Sequence, residues 1–205
     1  MSTASHMPDG DQLSPEDRAR ANVYALIGRL FYDAPDSNLF AQICSESEPE
    51  EGTSDSGALK HAWRALQEAC RGAYPVAIKQ EYDTLFIGVG KGEVTPYTSG
   101  YVTQSAPDRH LVKLREQLDA WGLARSASAF EVEDHVSGLC DVMRFLIEQQ
   151  ASLVDQRLFF EHFVYPGVVP FCNTVITAQS AGFYKQIAVF AKAFLELEKA
   201  ALDMG

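Results

Sequence analysis

An all-α fold, a single-domain compact multi-helix bundle, is what this sequence predicts, and three observations carry the prediction. Apolar residues recur at i, i+3, i+4 and i+7 in one segment after another, the spacing of a single helix face. Only Val94 to Thr103 has strand-like composition, and Pro96 with Gly100 argues against a regular strand there. At 205 residues the chain is long enough to bury one substantial core, and it shows no internal repeat.

The elements follow in order. Residues 1–13 read as a polar, disordered lead and 14–205 as the helical domain. Ser14-Pro15-Glu16-Asp17 is a helix start: a hydroxyl cap, proline in the first turn and acids facing the positive helix end. Val23, Leu26, Ile27, Leu30 and Phe31 form its face, and Pro35 closes it. Residues 45–57 are an acidic, low-complexity loop that cannot pack a core. Leu59, Ala62, Trp63, Leu66 and Cys70 mark a second helix; Ile78, Tyr82, Leu85 and Phe86 a third. Leu111, Leu114, Leu118 and Trp121 mark a fourth. Asp134 is positioned to cap a fifth, with Val136, Leu139, Cys140, Met143, Leu146 and Ile147 on its face. Two further helices are expected at 152–164 and 168–180. A last one carries Ile187, Phe190, Phe194, Leu197 and Ala201.

The formal net charge of −11 disfavours nucleic acid or an anionic membrane surface as partner, because both repel an acidic protein. No 18-residue apolar run is present, so stable membrane insertion is not expected. Residues 1–20 lack an apolar stretch of the kind a secretory leader needs. Cys44, Cys70, Cys140 and Cys172 form no CxxC pair and suit buried thiols in a reducing cytosol, so a cytoplasmic location is expected.

Three clusters could carry function. The first runs from Glu81 to Tyr101: an amphipathic segment, glycines at 88, 90 and 92, then Pro96, Tyr97, Ser99 and Tyr101. Glycines let backbones approach closely and tyrosines hold peptides, so this reads as a recognition surface. It is not a phosphate loop of known pattern. The third glycine falls one place early for GxGxxG, and Gly92 stands where a Walker loop needs Ser or Thr. The second cluster, Glu131-Val132-Glu133-Asp134-His135, sets three carboxylates beside one imidazole. It would serve acid–base chemistry, or simply a helix cap with acids complementing the dipole. No nucleophile motif accompanies it, so no catalytic residue is assigned. The third, Gln156, Phe159, Phe160, Glu161, His162, Phe163 and Tyr165, reads mostly as core. A di-iron bundle would need Glu-x-x-His; Val132 and Phe159 stand three before His135 and His162, and no metal site is expected.

Together these clusters resemble the TorD/DmsD/NarJ family of redox-enzyme maturation chaperones. The resemblance rests on Glu81-Tyr82, Leu85-Phe86-Ile87-Gly88, Pro96-Tyr97-x-Ser99-x-Tyr101 and Glu131-x-Glu133-Asp134-His135. Gln156, Phe159-Phe160, His162 and Phe183-Tyr184 follow in order, so that about residues 17–197 are covered. The glycine-rich version of the first motif is similar to members associated with formate dehydrogenase. The resemblance implies an all-helical cytoplasmic chaperone without enzymatic turnover or a cofactor of its own. It would bind the twin-arginine signal peptide and the apo-form of a molybdenum-cofactor oxidoreductase catalytic subunit, assist cofactor insertion and prevent premature export. Client-binding roles are implied for Tyr97, Ser99 and Tyr101 of the loop and for Asp134 and His135. Tyr82, Phe86 and Glu131 join them as aromatic and acidic neighbours, with the acids expected to meet the arginines. Two departures stand out: Val132 replaces the family's proline, and Pro166-Gly167 replaces its Pro-Trp. Two other readings are an assembly factor for a leaderless molybdenum or iron–sulfur subunit, and a nucleotide-binding switch using His135 and the glycine loop. Relatives include monomers and domain-swapped dimers, and either state suits this chain.

Overall fold

Residues 13–45, 56–88, 91–103, 105–123 and 132–204 are described by the structure, a computed structural model. The lead at 1–12 and most of the acidic loop, 46–55, lie outside them; Leu13 packs against the core. The elements are α1 (Pro15–Tyr32), α2 (Ser37–Ser45), α3 (Ser56–Arg71), α4 (Pro75–Tyr82) and a π turn at Asp83–Ile87. After these come α5 (Ser99–Val102), α6 (Pro107–Ala120), α7 (Val136–Glu148), α8 (Leu153–Phe159), a second π turn at Phe160–Val164, α9 (Tyr165–Thr177) and α10 (Phe183–Met204). Among the described residues the only strand-like pairing is an isolated antiparallel bridge between Tyr97 and His135.

Local chemistry explains the boundaries. Ser14 Oγ accepts the Asp17 N–H at 3.0 Å, so α1 starts where the cap places it. Its buried side is Ala21, Tyr24, Ile27, Leu30 and Phe31, and α7 lies along it with Leu139, Cys140, Met143 and Ile147. Gly28 permits this approach: a Cβ there would sit 3.3 Å from the Cys140 Cβ. α10 runs between α3 and α9 and buries Phe183, Tyr184, Ile187, Phe190, Phe194 and Leu195. Aromatic edges join the layers, Tyr24 on Phe194 at 4.9 Å and Phe31 on Phe171 at 5.0 Å.

A polar tie crosses this core. Arg20 of α1 gives two hydrogen bonds to the buried Glu198 of α10, at 2.8 and 3.0 Å, and one to Gln156 of α8 at 3.1 Å. Tyr24 donates to the same carboxylate at 3.2 Å. Burial would lower the Arg20 pKa, but the bonds and charge of Glu198 hold it above the ordinary value. Gln156, quoted from sequence among core aromatics, is thus a structural partner.

Four sequence expectations need correction. Ser37–Ser45 is a helix, where no helix was expected between Pro35 and the acidic loop. The two helices expected at 152–164 and 168–180 are one unbroken helical run from Leu153 to Thr177, its register shifted by the π turn just before Pro166. Ala201 is exposed and Leu202 takes the core position on α10. Asp134 does not cap α7: His135 does, its Nδ1 accepting the Ser137 N–H at 3.2 Å. Cys70, Cys140 and Cys172 are buried, and burial pushes the Cys70 and Cys172 thiols up to about 12. Among the described residues no helix is long and apolar enough to cross a membrane.

Candidate functional site

The recognition segment is pinned to the acidic turn. Thr98 donates both its N–H and its hydroxyl to the Asp134 carbonyl, each at 2.9 Å. Val136 N–H donates to the Pro96 carbonyl at 3.0 Å, and Ser99 N–H to the Asp134 carboxylate at 3.2 Å. These bonds draw residues 96–99 antiparallel to 134–136, though neither stretch is a strand. Thr98, Ser99, Asp134 and His135 are all buried. Tyr97 alone of this group is exposed, at 37%, with its ring 5.3 Å from the His135 imidazole. His135 Nδ1 accepts the Ser137 N–H at 3.2 Å and lies 2.7 Å from the Ser137 hydroxyl.

Gly167, where the family pattern places tryptophan, has a steric reason. Its α9 backbone passes so close to the segment that a Cβ would lie 2.6 Å from the Thr98 Cβ. The glycine loop has a similar explanation. Gly88 has φ of +62° and its Cβ would collide with the Lys91 carbonyl, while a Cβ on Gly92 would stand 2.6 Å from the Phe86 carbonyl carbon. These two glycines let the chain fold back on its own π turn, which accounts for them without a phosphate.

Two carboxylates, both given no role by the sequence reading, hold the loop from either side. Glu81 accepts the N–H groups of Gly182, Phe183 and Tyr184 at 2.9, 3.1 and 2.8 Å, and so caps α10 from a hundred residues away. Glu93 accepts those of Gln179 and Ser180 at 2.7 and 3.3 Å. Hydrogen bonds from Ser180 and Gln179 keep Glu93 below the usual carboxylate range. Both ends of the glycine loop are therefore tied to the α9–α10 turn. Only the pairing in space shows this; nothing local in the sequence marks it.

The remaining candidates divide. Tyr82 is buried and donates to the Tyr32 carbonyl at 2.7 Å. Phe86 is partly buried against Phe31, Phe171 and Tyr184. Tyr101 is half-buried on Phe171, its hydroxyl donating to the Thr95 carbonyl at 2.9 Å. Phe171 links the Tyr101 ring to Phe86 and Tyr82 in one aromatic layer, and Tyr97 stands apart from it over His135. Glu131 lies outside the described residues. Glu133 pairs with Arg115 of α6 at 3.0 Å. His110 of α6, absent from the sequence reading, is buried against Phe163 and stands within range of the Asp134 charge. Among the described residues no group of histidine, cysteine and acidic side chains could hold a metal ion.

The sequence model of the family described as nitrate reductase delta subunit matches residues 53–196. No curated protein matches significantly. A crystal structure of a candidate redox enzyme maturation protein from Archaeoglobus fulgidus is similar over 97% of this chain and 98% of that one. Its TM-score is 0.50 at 20% identity, a likeness of fold. The family match spans the glycine loop, the Pro96–Tyr101 segment, the Asp134–His135 turn and most of α10, and on it the chain belongs to the nitrate reductase delta subunit family, the TorD/NarJ-like redox-enzyme maturation chaperones.

Proposed function

We propose that this protein is a cytoplasmic chaperone that binds the twin-arginine leader and apo-form of a molybdenum-cofactor oxidoreductase, supporting cofactor insertion and delaying export. The observation that carries the reading is the exposed Tyr97 ring on a segment locked to the buried Asp134–His135 turn. A contact residue fixed before binding loses little conformational entropy when a peptide arrives. Ile87, at 57% exposure, adds apolar surface at the end of the first π turn. A basic, apolar leader suits this acidic chain, whose charge would speed encounter and make binding salt-sensitive. Tyr82, Phe86, Ser99 and Tyr101 then act mainly by holding the surface in place. Asp134 and His135 meet the client only after the segment shifts, because both are covered in the free protein.

A second reading is assembly of a molybdenum or iron–sulfur enzyme subunit that carries no leader. Isothermal titration separates the two. The full chain would be titrated, at two salt concentrations, with leader peptides and with leaderless N-terminal segments of molybdoenzymes from its own genome. Salt-weakened micromolar binding to one leader supports the first reading; binding confined to a leaderless segment supports the second.

A further inference from the structure

A groove of about 690 Å³ opens between α3, α9 and α10, on the side of α9 away from Thr98 and Tyr101. Gly167 and Phe171 turn toward the recognition segment, whereas Ile176, about 140° further round the helix from Phe171, lines the groove. Its floor is Val189, Ala193 and Leu197 of α10, one ridge at four-residue spacing and only half-buried, with Ala62 of α3 and Ile176 beside it. α10 thus has two apolar faces. Ile187, Phe190 and Phe194 fill the core, and the second row opens to solvent.

Charge selects what covers that row. Lys185, Lys192 and Lys199, three of the seven lysines in a chain of net charge −11, repeat every seven residues along α10. Lys192 Nζ donates to Asn173 Oδ1 at 2.8 Å and Lys199 lies over the Tyr165 ring at 4.8 Å, so α9 holds both along its own edge of the groove. Glu196, the acid on the rim, accepts the Tyr165 hydroxyl at 2.9 Å, and His61 of α3 lines the groove as well. One sign of charge repeated every seven residues beside an apolar row is how a helix selects a partner helix of opposite charge.

We propose that this groove docks an acidic amphipathic helix of a protein partner. The apolar stripe of that helix sits on Val189, Ala193 and Leu197, and its carboxylates, also seven residues apart, meet the three lysines. Lys185 to Lys199 spans about 21 Å, so the partner supplies about four helical turns. Its charge is opposite to that of the basic leader proposed for the Tyr97 face. The two surfaces lie on different sides of α9, so both fill together, and the groove does not depend on leader binding.

The test is a titration of the full chain with two designed helical peptides that share one leucine stripe. One carries glutamates at seven-residue spacing beside the stripe, and the other carries lysines there. Wild type should favour the glutamate peptide by about tenfold or more, because three exposed pairs turn from attraction to repulsion. Added salt should narrow that gap. Lys185→Glu combined with Lys199→Glu should invert the order of the two peptides. Ala193→Gln, which fills the floor without altering charge, should weaken the glutamate peptide by about tenfold, the loss of one well-packed contact. Thermal unfolding confirms that each variant is folded. Failure of the glutamate peptide to bind overturns the proposal, and so does equal affinity for the two peptides. Binding untouched by Ala193→Gln puts the peptide elsewhere on the surface and overturns it too. Self-association of wild type in sedimentation, lost in Ala193→Gln, assigns the groove to a second copy of the chain and likewise overturns it.

Discussion

Glu81→Ala should destabilise the fold measurably although Glu81 lies outside the apolar core. The carboxylate accepts three consecutive N–H groups at the head of the 22-residue helix α10, all within 3.1 Å. Losing a capping side chain costs about 1–2 kcal/mol. Losing a negative charge at the positive helix end adds about 0.3–1 kcal/mol, since the site is only partly covered and water can replace part of the bonding. The sum is about 1–3 kcal/mol. For a chain of this size each kcal/mol moves the melting temperature by about 2–4 °C, so a fall of about 3–12 °C is expected. Glu81→Gln keeps one acceptor oxygen and should lose about half as much. Urea titration followed by circular dichroism is the assay, with an unchanged m-value required before the shift is read as stability. An Ala variant within about 0.5 kcal/mol of wild type, the range of an ordinary surface substitution, would refute the capping argument.

Other perturbations follow from the same geometry. Gly167→Ala places a methyl 2.6 Å from the Thr98 Cβ, and Thr98 is fully buried; a loss of about 1–3 kcal/mol and weakened leader affinity are expected, checked by melting and peptide titration. Gly100→Ala meets nothing within 4 Å and lies in a helical turn, so a stability equal to or above wild type is the matched control. Glu198→Ala leaves the Tyr24 hydroxyl without its acceptor and Arg20 with only Asp17 and Gln156, and should cost about 3 kcal/mol, the lower end for a buried pair because Arg20 is partly exposed and keeps those partners; an unchanged urea midpoint would contradict this. The Glu93 clamp has a pH signature. Its folded pKa lies below the ordinary 4.5, so its contribution is complete above that value and is lost as pH falls through the lower folded one. Amide resonances of Gln179 and Ser180 should shift together in that acid window, and flat titration curves for both would dismiss the clamp.

Helix content and the apolar faces were legible in the sequence because periodicity is a local signal. Leu59, Ala62, Trp63, Leu66 and Cys70 are buried as their spacing demands, and so is the whole predicted face of α7. The miss at α2 has a simple cause: nine residues with two core contacts, Phe40 and Ile43, are too short for a periodic pattern to stand out. The merged run from Leu153 to Thr177 failed for the opposite reason. Pro166 and Gly167 are breakers in isolation, but a π turn directly before a proline accommodates its missing N–H, and Gly167 is there for Thr98. The motif residues around 97–101 and 134–135 stand out in the sequence, yet their burial does not, because exposure depends on what packs over them. Glu81, Glu93 and His110 act through partners far away in sequence, where no spacing rule reaches.

The placement of those distant partners bears on what the site can tolerate. Both π turns adjoin it: Asp83–Ile87 feeds the glycine loop, and Phe160–Val164 delivers Gly167 against Thr98. One extra residue in a turn rotates everything beyond it by about 100°, so a return to regular α geometry in either place would carry Phe86 or Gly167 away from its partners. Glu81 and Glu93 then fix the loop to the α9–α10 turn, whose helices carry most of the aromatic core. The recognition segment itself adds only a few hydrogen bonds and one exposed ring. Its shape is imposed by the body, which leaves Tyr97 and Ile87 free to vary with the client, whereas Glu81, Glu93, Gly88 and Gly167 cannot change without moving the whole surface. A scan of the segment should therefore alter which peptide binds, and a scan of its supports should lower affinity for every peptide together with the melting temperature. Support variants that changed peptide preference at unaltered stability would show that body and surface are not coupled in this way.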